Sequence, residues 1–247
     1  MKGITMRIFI TIVCLLIVIN SAYACFDTYL FLKKGSMVYP YKSAVFELNT
    51  EYSFNKFNSP ANDMFFTNGS FYYGIAKNLS VQLSLGSGEK ERGEFKIDSY
   101  ALRGVYNLYT SDIGDYTLDV ILEQNGRLNA KENEIGISLP NIFHLTDFLY
   151  VIHPTANYAL EEKNMTIGAH TGLFYNFEER GIIGVGAEYA SVQSSSYAGQ
   201  RITQSEVSAS LFFGAQIGNM LYIQNEIAKG LSNSRDLGFA LTAKIIM

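Results

Sequence analysis

Two histidines and a glutamate are the residues whose types and spacing could do chemistry together. His153 and His170 fall on the polar phase of two neighbouring predicted strands joined by the turn Glu161 to Asn164, and Glu188 falls on the same phase of the next strand. Two imidazoles and a carboxylate can ligate a metal ion or carry general acid–base chemistry. With Leu160 set opposite Met165, His170 is expected opposite Thr155 and diagonal to His153. No Ser or Thr has a nucleophile motif around it, so the pair reads as hydrogen-bonding groups. On this reading the chain is not an enzyme, and no catalytic residue, metal ligand or cofactor is assigned. His144, the third histidine, falls in the predicted turn Pro140 to Asp147 and reads as solvated.

The elements that must position these groups are strands. Phe46, Leu48, Thr50, Tyr52 and Phe54 alternate with Glu47, Asn49, Glu51, Ser53 and Asn55, which puts an apolar set on one face and a polar set on the other. The same period of two recurs to the last residues, where Leu237, Phe239, Leu241, Ala243 and Ile245 alternate with smaller or polar side chains. Twelve strands are predicted in this way, with Pro154 expected to introduce a local bulge. Their polar phase carries Glu47, Glu51, Arg103, Asp119, Glu123, Glu134, His153, His170, Glu188, Glu206, Glu226 and Lys244, eight acids against two clear bases.

Connections alternate in length. Ala76 to Asn78, Thr110 to Asp115, Pro140 to Asp147, Asn176 to Arg180 and Gly218 to Met220 form one series. Phe57 to Asn68, Gly86 to Glu94, Gln124 to Asn133, Glu161 to Asn164, Ala190 to Ser205 and Lys229 to Asp236 form the other, longer in all but one case and rich in Gly, Ser, Asn and charge. Short turns at one end and long polar loops at the other suit a sheet that separates two compartments.

Composition narrows the class. Of 247 residues, 48% are hydrophobic, 17% charged and 14% aromatic, with 17 Tyr, 17 Phe and no Trp. The charged fraction lies below that of an ordinary soluble domain, yet no apolar run is long enough for a spanning helix. A net charge of −4 gives no basic surface for nucleic acid.

Residues 1–24 read as a secretory signal peptide: Lys2 and Arg7, the apolar run Ile8 to Ile19, then the small-x-small site Ala22-Tyr23-Ala24. Cys14 leaves with it, so Cys25 has no internal disulfide partner and stands where a lipid anchor is sometimes attached. Residues 25–42 read as a periplasmic lead-in lying at the barrel mouth; the alternatives are a short hairpin around Gly35, which would raise the count to fourteen strands, and a functional plug.

Over residues 43–247 the chain resembles bacterial outer-membrane β-barrel proteins as a class, although its last residue is Met247 where such chains commonly end in Phe. The resemblance implies an all-β fold: a closed antiparallel barrel of about twelve strands with both termini periplasmic, in the outer membrane of a Gram-negative cell. It implies as partners the outer-membrane lipid and lipopolysaccharide, and, during biogenesis, periplasmic chaperones and the barrel-assembly machinery. With the polar face inward, the expected function is a small porin-like channel for cations or small polar solutes. The alternatives are a lumen-blocked barrel with an adhesive or structural role and, further off, a lipid-modifying enzyme.

Overall fold

The computed structural model describes residues 35–54, 64–89, 95–128, 132–177, 180–193, 203–232 and 237–247. The predicted signal peptide, Cys25 and the lead-in up to residue 34 lie outside the described residues. Thirteen strands follow in order: β1 (Ala44–Phe54), β2 (Met64–Ala76), β3 (Leu79–Glu89), β4 (Phe95–Thr110), β5 (Tyr116–Arg127), β6 (Asn133–Ser138), β7 (Asn141–Leu145), β8 (Phe148–Ala159), β9 (Asn164–Phe177), β10 (Gly181–Gln193), β11 (Thr203–Ile217), β12 (Leu221–Ser232) and β13 (Leu237–Ile246). All neighbours pair antiparallel, and β1 pairs with β13, from Val45 opposite Ile246 to Phe54 opposite Leu237. The sheet therefore closes on itself.

β6 and β7 are one barrel strand. Ser138 faces Thr155 and Asn141 faces Ile152 on β8, so the register is kept across the gap, and the same holds against β5. Two prolines cause the gap. Leu139 N donates to Pro154 O at 3.0 Å and Asp119 N to Pro140 O at 3.0 Å, but neither proline nitrogen can return a bond. The barrel thus has twelve strands. No bulge forms at Pro154, because the β8–β9 register runs unbroken through it. The expected turn Pro140 to Asp147 shrinks to Thr146 and Asp147, with Thr146 at φ 52°. His144 accordingly lies in a strand opposite Leu149 and is half-buried, not in a solvated turn.

A strand tilted by about 40° needs about ten residues to cross a 25 Å apolar belt. Most strands here have eleven to sixteen, so several run past the belt. β2 begins at Met64, β3 ends at Glu89 and β10 and β11 reach Gln193 and Thr203, taking in parts of the predicted long loops.

The outer surface is the apolar phase. Leu48, Leu83, Leu102, Leu122, Ile167, Val185, Phe213 and Leu241 are all exposed on it, an arrangement that only lipid tolerates over a whole barrel. Ring contacts Tyr109–Tyr116–Phe143–Tyr150 and Phe148–Tyr175 build an aromatic girdle at the short-turn rim, and Tyr52, Phe54 and Phe239 begin another at the far rim.

Candidate functional site in the barrel lumen

Twelve strands about 4.8 Å apart and tilted by about 40° enclose a cylinder about 24 Å across between backbones. Side chains from opposite walls leave room for one further chain segment, and the short-turn half contains one. Inward-facing Val105, Ile121, Ile142, Leu149, Val151, Phe174, Ile182, Phe212 and Tyr222 form a buried apolar cluster with Met37 and Val38. Tyr39 packs in the same region against Val45 and Tyr72, its ring 4.8 Å from that of Tyr72. Each wall residue lies in the half of its strand nearest the short turns. Residues 36–40 of the lead-in therefore enter the barrel and fill its lower lumen as a plug, whereas the first arm of a hairpin around Gly35 falls outside the described residues.

Polar anchors hold the plug on two sides. Ser36 Oγ donates to the Asp119 carboxylate (2.7 and 2.8 Å to its two oxygens), and Met37 N donates to it at 2.6 Å. Across the barrel, Lys244 Nζ lies 2.9 Å from Tyr39 Oη, to which it donates, and 2.7 Å from Glu47, which also accepts from Tyr72 Oη at 3.1 Å. Gly74 permits the approach: a Cβ there would stand 1.9 Å from Pro40 O.

Above the plug the lumen is polar. Arg103 Nε is ion-paired with Glu123, and Asn125 Nδ2 also donates to that carboxylate. Glu134 lies near Glu123. On the opposite wall Glu51, Glu188, Glu206 and Glu226 lie within electrostatic reach of one another, among inward Gly184, Gly186, Ser208, Ser210, Ala228 and Ala240. Small side chains surround these carboxylates, of which Glu226 is buried and Glu188 has one oxygen buried.

The histidines sit at mid-height. His153 is directly opposite His170, and His170 directly opposite Glu188, so three side chains stand abreast on β8, β9 and β10. The expected pairing of His170 with Thr155 fails by two residues: Tyr158, not Leu160, faces Met165, because the four-residue β8–β9 turn runs from Leu160 to Lys163, one position earlier than the sequence suggests. The ring centroids of the two histidines are 5.5 Å apart, and His170 Nδ1 is 3.7 Å from Glu188 Oε1.

All twelve sequence-predicted lumen residues stand on the inward phase, but they fall into two groups. Glu47, Asp119 and Lys244 serve the plug, whereas the other nine lie above it. What the pattern missed is the apolar lower lumen; a plug is only the lesser reading of residues 25–42, and nothing in the sequence marks Ser36 to Pro40 as its seat. A signal for the apolar lumen exists. At the short-turn ends both phases turn apolar, as in Val120-Ile121-Leu122, Phe148 to Ile152, Leu173-Phe174-Tyr175, Leu211-Phe212-Phe213 and Leu221-Tyr222-Ile223. A strand apolar on both faces is covered on both, here by lipid and by the plug.

Among solved structures, the chain is similar to an outer membrane channel from Pseudomonas putida F1, with a TM-score of 0.69 at 9% identity over 85% of this chain and 97% of that one. The KdgM porin follows at 0.58 and 9% identity (81% and 98% covered), and the NanC porin at 0.57 and 10% (80% and 98%). The fold is that of the outer-membrane β-barrel porins. No family model matches the sequence, and no curated protein does.

Proposed function

We propose that the chain is an outer-membrane channel for small cations and small polar solutes, closed at its periplasmic end by its own residues 36–40. The observation that carries this reading is the division of the lumen. The inward phase is polar and carries most of its acids in the half toward the long loops, and below it the wall offers an apolar socket in which a single short segment is held by two sets of charged anchors. A barrel with only a structural role has no use for an acidic vestibule lined by small side chains, whereas a conduit does. Acidic walls focus a negative potential in a narrow space and favour cations over anions.

Planar-bilayer recording tests it. The parent chain is expected to give rare, cation-selective current steps, and a variant with Met37 and Tyr39 both replaced by Ala to give frequent or sustained ones. Folded barrels of both proteins that pass no current would remove the channel reading in favour of a blocked barrel that works through its surface.

A further inference from the structure

The row of His153, His170 and Glu188 is not needed to hold the plug or to close the barrel. His153 is 7% exposed, and neither of its ring nitrogens has a hydrogen-bond partner among the described residues. A buried imidazole with both nitrogens unmatched is costly, and that cost is recovered when a ligand takes one of them. Glu188 Oε2 is likewise buried with no hydrogen-bond partner among the described residues.

We propose that His153, His170 and Glu188 form a binding site for a borderline divalent transition-metal ion such as Zn²⁺, at mid-height in the lumen. Two donors each about 2.1 Å from a tetrahedral ion stand about 3.4 Å apart, and two imidazole rings on such an ion have centroids about 5.3 Å apart. The observed His170–Glu188 separation is 3.7 Å and the observed centroid distance is 5.5 Å. The first distance is too long for a strong hydrogen bond and suits two ligands of one ion. Among the described residues no group of three such side chains stands ready to hold a metal ion, so binding requires the His153 ring to turn toward the pair. Two neutral imidazoles and a carboxylate select Zn²⁺, Ni²⁺ or Co²⁺ over Mg²⁺ and Ca²⁺, which prefer oxygen alone. Glu226 and Glu51 lie within electrostatic reach of Glu188. Among the described residues the nearby cation that opposes a metal, Arg103, is ion-paired with Glu123. The site goes beyond the conduit reading and stands whether or not ions cross the barrel.

The test uses the full folded chain, without a histidine tag, in detergent or nanodiscs. Calorimetric titration with Zn²⁺ and visible absorption with Co²⁺ read the binding. One saturable site is expected, with Co²⁺ bands of a low-coordinate nitrogen–oxygen site. His153→Ala and Glu188→Gln are each expected to weaken binding by about 10- to 100-fold or more. The double variant His153→Ala, His170→Ala should abolish it, and His144→Ala should leave it unchanged. Heat-dependent gel mobility checks that each variant is still a barrel. No saturable binding by the parent overturns the proposal. So does equal binding by the double variant, or a preference for Ca²⁺ that survives it, either of which assigns the affinity to the glutamates alone.

Discussion

Adding one methyl group at Gly74 should open the barrel. The Cβ of Gly74→Ala would lie 1.9 Å from Pro40 O and 2.7 Å from Pro40 C. An ordinary C···O contact is about 3.3 Å, so the plug backbone must retreat by about 1.4 Å. Gly74 has no left-handed backbone angle, so alanine strains nothing else there. The bond from Lys42 N to Gly74 O is 2.8 Å and that from Lys244 Nζ to Tyr39 Oη is 2.9 Å. A retreat of that size takes both past the hydrogen-bond limit. Losing one neutral bond and one charged bond costs the seated plug about 2–3 kcal/mol, which raises its unseated population by about 30- to 150-fold. Single-channel recording of the folded variant measures this directly as open probability. The reasoning fails if Gly74→Ala keeps its heat-dependent gel mobility and gates like the parent, since the plug would then not bear on Gly74 as described.

Unboiled protein from detergent-extracted membranes should migrate differently from boiled protein on an SDS gel, as closed barrels do, and identical mobility would contradict the β1–β13 seam. Lys244→Met should be severely destabilising, by about 3–5 kcal/mol, because Glu47 is left buried and unpaired; the temperature of the mobility change reads the loss. Leu241→Arg places a charge against lipid and should cost about 2–4 kcal/mol in urea unfolding from vesicles. Its neighbour Ala240→Arg should be tolerated, since Ala240 faces the lumen between Glu51 and Glu226. Equal costs for the two would reverse the inside and outside of the barrel.

The inside and outside of the barrel could be read from the sequence because the two solvents differ. Lipid rejects charge while the vestibule accepts it, so residues such as Glu51 and Tyr52 sort by phase alone. Phase carries no such information where both sides are dry, and the plug socket is of that kind: Leu149 and Tyr150 are both apolar, yet one faces Met37 and its neighbours and the other lipid. Proline misled in a different way. Pro140 looks like the end of a strand because it cannot complete the ladder, but the two flanking strands hold the register, and β7 resumes with His144 inside it. The partnership of Ser36 with Asp119 and of Tyr39 with Lys244 was out of reach of any local pattern, being set by closure of the whole sheet.

That last feature bears on the order of folding. Ser36 and Asp119 are separated by 83 residues, and Tyr39 and Lys244 by 205. The second contact joins the earliest described segment to the final strand, so it cannot form until β13 has been made and has met β1. Loop-closure entropy places contacts of such separation late. The plug's contacts with Asp119, Val45 and Tyr72 need only β1 to β5, so the plug can gather on the early strands, but its hold on Lys244 comes no sooner than closure of the sheet. A chain arrested just before that anchor forms would be a leak.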